Sequence, residues 1–276
     1  MGNPERLGLD EKRYREIVYV TDGALSIKIR VHEQYSSVPI DLNAEICKLL
    51  DLRGEETLLD IGCGTGDFLV HLKRVARHKG KLYGGDISSG VFEKAKIFSV
   101  QENLGINFFE GSILQLPFAS GQFDIVTALH MLSHVPLKDA LEESRRVLSK
   151  KGKFLATANS LSSYPHVDKY RKMAFKMMGW GKSVFTTTFF NLENMQEELS
   201  KVWCGVELKK LHGELKIPPH EFLKYFYANM LVWEPLPTED ESKIILDTVS
   251  RELEKDADNG FIVEPKFVGL AICTKY

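Results

Sequence analysis

The sequence predicts an α/β protein with a doubly wound, mostly parallel sheet. Short apolar runs of strand length stand at 58–61, 81–85 and 106–110. Helical patterns separate them, as parallel pairing requires, because each crossover must carry the chain back to the same end of the sheet. The first run, Leu58–Ile61, stops at Gly62-Cys63-Gly64-Thr65-Gly66, and a helical pattern of Phe68, Leu69, Leu72, Val75 and Ala76 starts at once. Strand, tight glycine loop and helix in that order is the ligand-binding corner of such sheets.

The elements follow in order. In residues 1–38, Tyr14, Ile17, Val18 and Val20 make an apolar helix edge that Asp22-Gly23 breaks. From Leu25 to His32 two periodicities compete. Leu25, Ile27, Ile29 and Val31 alternate with polar residues, as in a strand, whereas Leu25, Ile29 and His32 share a face if the segment is helical. Pro39–Leu50 reads as a helix feeding the first strand. His78-Lys79-Gly80 closes the helix after the glycine loop, and Lys81–Gly85 is a second strand ending in Asp86. Ser88 or Ser89 caps the next helix, on which Val91, Ala95 and Phe98 share a face, and Leu104-Gly105 ends it. Ile106–Glu110 is the third strand.

Glycine spacing separates the nucleotide cofactors. A dinucleotide fingerprint needs a glycine where this chain has Asp67. Asp60, followed by Gly62-x-Gly64-x-Gly66, instead resembles motif I of the class I S-adenosylmethionine-dependent methyltransferases. Phe123–Val135 and Leu141–Gly152 resemble that family's fourth strand and the helix and turn into its fifth, so the likeness covers roughly residues 45–160. The resemblance implies a seven-stranded sheet whose last strand, Phe267–Thr274, enters antiparallel, and an α-helical cap. It divides the chain into an N-terminal lid segment (1–38), a cofactor-binding core (39–160), and cap helices with the last strands (161–276).

The cofactor implied is S-adenosyl-L-methionine. Its site would comprise Asp60, Gly62, Cys63, Gly64, Thr65 and Gly66, with Asp86 on the ribose and Ile87, Ser112 and Ile113 about the adenine. Ser112 departs from the family, many of whose members place Asp there. Leu129 and His130 stand where the family contacts cofactor or substrate, and Arg30, His32 and Tyr35 are the polar residues a lid would turn inward. His134 and His130 are the candidate catalytic bases, four residues apart and at the carboxyl end of a strand. A base of ordinary imidazole pKa would give a rate that rises through pH 6–7.

Beyond 160 the pattern loosens. Tyr164–Trp180 interleaves Lys169, Arg171, Lys172 and Lys176 with methionines, either a solvated face of a cap helix or a basic surface. Thr186–Phe190 leads to a helix near Leu192–Val202 and a strand at Val206–Leu211. Helices at Pro218–Val232 and Glu239–Lys255 follow, the first with an aromatic side of Phe222, Tyr225, Phe226 and Trp233. A net charge of −2 gives no electrostatic footprint for nucleic acid. Cys47, Cys63, Cys204 and Cys273 have neither disulfide nor metal spacing, the N-terminus lacks a signal-peptide core, and no apolar run has membrane-span length. These features point to a cytoplasmic protein with no membrane partner, expected as a monomer or homodimer. The resemblance implies no metal, because metal-dependent O-methyltransferases carry an Asp after strand four where this chain has Leu129-His130. The expected activity is methylation of a small molecule at oxygen or nitrogen. The alternatives are an RNA methyltransferase using 169–176 and a non-catalytic protein that binds the cofactor.

Overall fold

The computed structural model describes residues 23–181 and 189–275; Tyr14, Ile17, Val18, Val20 and Thr186–Thr188 lie outside them. The chain opens with α1 (Gly23–Tyr35), β1 (Ser36–Val38) and α2 (Leu42–Leu50), whose first turn is capped by the Asp41 carboxylate accepting from the Ala44 N–H at 2.9 Å. Next come β2 (Leu58–Ile61), α3 (Asp67–Arg74), β3 (Leu82–Asp86), α4 (Ser89–Gln101), β4 (Ile106–Glu110) and β5 (Phe123–Leu129). A single 3₁₀ turn, Leu132–His134, precedes α5 (Leu137–Val147) and β6 (Leu148–Asn159). The chain continues through α6 (Pro165–Met177), α7 (Met195–Ser200), β7 (Gly205–Ile217), α8 (Pro219–Met230), α9 (Glu239–Asp256) and β8 (Ile262–Thr274).

These strands form one eight-stranded sheet in the order β1-β7-β8-β6-β5-β2-β3-β4. Strands β2 to β6 pair in parallel, β8 enters antiparallel between β6 and β7, and β1 adds an antiparallel edge, one strand more than expected. The sheet buries apolar residues on both faces. One face packs Ile46, Leu50, Phe68, Leu72 and Val91 of α2–α4, and the other packs Leu141 and Val147 of α5 with Met195 and Leu199 of α7. On that second face Phe154 stacks on Trp203 with centroids 4.9 Å apart.

Strands β7 and β8 run longer than the sequence indicates. They stay paired from Gly205↔Thr274 to Ile217↔Ile262, and this extended ribbon supports the cap. A second core gathers there from α1, α6, α8 and α9 around Tyr170, Phe222, Phe226, Trp233 and Ile245. Helix α6 begins at Pro165, and its free N–H groups at His166 (3.2 Å) and Val167 (3.0 Å) donate to the buried Glu264 carboxylate of β8. The cap is thereby tied to the sheet by a charged hydrogen-bond pair.

Two further expectations are corrected. Helix α3 stops at Arg74, and Val75 is 67% exposed; the chain turns early because His78 is held by the Glu56 carbonyl at 2.8 Å. Strand β6 starts at Leu148, paired to Phe123, and bulges before Lys153 meets Ile125.

Candidate functional site

The sheet reverses its winding between β2 and β5, and the loops at the carboxyl ends of β2, β3 and β5 open a crevice there. Gly62, Gly64 and Gly66 all have positive φ, between 52° and 75°. The loop is fastened to β3: the Gly62 and Cys63 N–H groups donate to the Gly85 carbonyl at 2.7 and 3.0 Å, and the Gly64 N–H to Asp86 Oδ2 at 3.0 Å. The second Asp86 oxygen accepts from the Ser88 N–H at 3.2 Å. Asp86 therefore shapes the loop as well as presenting a carboxylate to the crevice. A Cβ on Gly62 would lie 2.7 Å from the Met131 side chain, so only bare backbone lets Met131 close over the loop.

The resulting cavity is about 360 Å³. It brings together Asp60, Gly62, Cys63, Gly64, Thr65, Asp86, Ile87, Ser112, Ile113, Leu129, His130 and His134 from the residues named in the sequence. Gly66 is the N-cap of α3 just behind it. Tyr35 is not there: it ends α1 and packs on the cap core. Arg30 is also turned away, paired with Glu221 at 3.3 Å. Ser112 Oγ accepts from the Leu114 N–H at 3.0 Å, so this hydroxyl shapes its own loop.

Asp60 is buried at the end of β2, where the Thr127 hydroxyl donates to it at 2.6 Å. Burial pushes its pKa up to about 7; the Thr127 bond opposes this and the nearby Asp86 adds to it. Asp86 is raised too, mainly by burial. The histidines move the other way. Burial pulls His130 down to about 3 and His134 to about 4, with Lys266 and Lys28 respectively adding to the effect. Both rings are neutral at ordinary pH, which corrects the expectation of titration at pH 6–7. His130 sits in left-handed backbone (φ 55°), its N–H donating to Thr157 Oγ1 at 3.0 Å, and its buried Nδ1 has no hydrogen-bond partner.

A second cavity of about 520 Å³ adjoins the first, and Leu25, His130 and His134 line both. Its walls include Lys28, His32, Asn159, Tyr164, Phe190 and Tyr225. Asn159 Oδ1 is buried without a partner. Most of these residues escape sequence reading because they lie far apart in the chain. A signal existed in α1: Leu25, Lys28, Ile29 and His32 follow helical i, i+3, i+4, i+7 spacing, and all four face the cavities. Among the described residues no three His, Cys, Asp or Glu side chains gather as a metal would require. No described helix is long and apolar enough to cross a membrane.

Comparison with known proteins agrees with this geometry. The chain matches a family described as a methyltransferase domain over residues 59–156, and a protein-L-isoaspartate(D-aspartate) O-methyltransferase family over residues 1–107. The demethylmenaquinone methyltransferase of Lactococcus lactis subsp. lactis (strain IL1403) is 31% identical over 214 residues, spanning 71% of this chain and 85% of that protein. The 2-phytyl-1,4-naphtoquinone methyltransferase of Trichormus variabilis is 36% identical over 101 residues, 36% of this chain and 44% of that protein. The fold is shared with the YcgJ protein of Bacillus subtilis at a TM-score of 0.57 and 20% identity, over 85% of this chain and 98% of that one. It is shared also with Haemonchus contortus phosphoethanolamine N-methyltransferase 2, at a TM-score of 0.59 and 15% identity, over 97% of this chain and 60% of that one. The chain belongs to the class I S-adenosylmethionine-dependent methyltransferases. It is an enzyme, and S-adenosylmethionine is its methyl donor.

Proposed function

We propose that the protein methylates a small, ring-bearing molecule held in the second cavity, at oxygen or nitrogen and without a metal ion. The observation that carries this reading is the junction: a cofactor-sized cleft opens into a separate walled cavity, with His130 and His134 at the boundary. S-adenosylmethionine supplies an activated methyl on a cationic sulfur. The protein's work is then to bind, align and exclude water. The glycine loop offers main chain for close approach, Asp86 a carboxylate for ribose hydroxyls, and Ile87 and Ile113 apolar contact for the adenine. Asp60 faces the same cleft as an acid suited to a cationic ligand. The unpartnered His130 Nδ1 and Asn159 Oδ1 are free to position the acceptor. Relatives named for demethylmenaquinone and 2-phytyl-1,4-naphtoquinone support a ring-bearing acceptor.

The RNA alternative loses its footing in the ion pairs. Lys169 pairs with Asp256, and Arg171 and Lys172 share Asp168, so three of the four basic side chains are engaged by carboxylates within the cap. Calorimetry with S-adenosylmethionine, followed by a labelled-methyl screen of metabolite extracts, tests the reading. The expected result is binding and a labelled small product. Binding without transfer to any extract would leave a cofactor-binding protein, and salt-sensitive labelling of RNA would restore the nucleic-acid reading.

A further inference from the structure

Among the described residues that line the second cavity, cationic side chains outnumber carboxylates: Lys28, Arg171 and Lys172 stand against Asp168. Lys28 lines it, half-buried, and has no carboxylate partner among the described residues. Lys266 stands behind His32, its Nζ 3.4 Å from His32 Nδ1, and it pairs with no carboxylate among the described residues. Burial lowers both amines to about 8, which leaves them mostly charged at neutral pH. Among the described lining residues Asp168 is the one carboxylate, and it is shared by Arg171 and Lys172. A buried cation without a counter-charge is destabilising, so such a pair persists where a ligand completes it.

The hydrogen bonds point the same way. An ammonium has only donors, so His32 Nδ1 must accept from Lys266. Burial holds His32 neutral, its pKa lowered to about 3, which places its one proton on Nε2. Nε2 lies 3.4 Å from the Tyr225 hydroxyl and donates to it, leaving the Tyr225 proton for another acceptor. Lys266, His32 and Tyr225 thus form a file of donors all directed toward the cavity wall. Tyr164 and Tyr225 stand edge-on to His32 with centroids 5.9 and 5.8 Å away, and Phe190 adds another aromatic wall.

We infer that the methyl acceptor is a planar aromatic carboxylic acid bound as its anion, its carboxylate met by Lys28 and by the Lys266–His32–Tyr225 file. This deepens the methyltransferase reading and rests on it. An oxyanion needs no base: its lone pair forms the new O–CH₃ bond, the C–S pair returns to sulfur, and the two charges cancel with no proton moved. That chemistry suits His130 and His134, whose burial makes them weak bases.

The test uses the full chain saturated with S-adenosylhomocysteine. Salicylate, 4-hydroxybenzoate and 1-hydroxy-2-naphthoate are titrated against their carboxamides, with wild type, Lys28→Met and Lys266→Met. The expected result is at least one acid that binds tenfold or more tightly than its amide, a preference lost in both variants. Both variants should also melt at higher temperature than the ligand-free wild type, because each removes an unpaired charge. Acids and amides binding alike, no binding by either set, or a preference that survives both substitutions overturns the inference. Intact S-adenosylhomocysteine binding in those cases leaves the methyltransferase reading standing; its absence in the wild type overturns both.

Discussion

Asp60 and the histidines show what burial does to single residues at this crevice. Asp60 is protonated about half the time near pH 7, because its site withholds solvent from the carboxylate. A cationic ligand in the same cleft favours the ionised form, so binding expels the proton wherever the acid still holds one. Affinity for S-adenosylmethionine should then climb by up to about tenfold per pH unit between pH 5.5 and 7, and level off above. In Asp60→Asn the dependence should vanish. Calorimetry across that range decides it, and a flat wild-type profile would remove Asp60 from contact with the cofactor's charge. The histidines could be located from sequence, yet their basicity could not. Position 130 or 134 reveals a ring near a strand end; only the packing around it reveals that the ring cannot hold a proton.

At the scale of elements, the glycine loop and the helix behind it depend on tight contact. Gly66 caps α3 with φ 75°, and a Cβ there would stand 2.9 Å from the Ala95 methyl of α4 and 3.1 Å from the Phe108 ring of β4. Gly66→Ala therefore adds left-handed backbone strain to overpacking, and should cost about 1–3 kcal/mol by chemical denaturation. Stability equal to wild type would mean that the corner is loosely built. Strand β2, buried at every position, has the bounds its apolar run indicates, because a buried parallel strand writes its extent in hydrophobic residues. The α1 segment was ambiguous for the opposite reason. Its apolar positions satisfy both periods, and the choice is made by α8 and the cap core, which bury Val31 and turn Leu25 and Ile29 to the cleft. The ribbon of β7 and β8 beyond the sheet was hidden similarly: His212–Ile217 is polar at alternate positions, and pairing with Ile262–Phe267 gives it strand form.

At the scale of the whole molecule, three elements deliver neutral imidazoles to one place. His32 comes from α1, His130 from the end of β5 and His134 from the 3₁₀ turn, and all three have pKa values lowered by burial to about 3, 3 and 4. Unfolding returns each ring to water, where it titrates near 6.5. Below that pH the unfolded chain takes up protons that the folded protein refuses, so stability must fall as the solution is acidified from about 6.5 toward 4. Asp60 and Asp86 oppose this, since their raised values make the folded state the better proton binder above the ordinary carboxylate range. Three histidines against these two carboxyls, and against His166, whose value the Glu264 hydrogen bond raises, still leave a net uptake of protons on unfolding, worth about 1–3 kcal/mol per pH unit. Denaturant midpoints measured at pH 5 and 7 should therefore be lower at pH 5, and His130→Gln should shrink the difference. A midpoint that is unchanged or higher at pH 5 would mean that the histidines are hydrated in the folded protein, and that the cap does not close the two cavities from water.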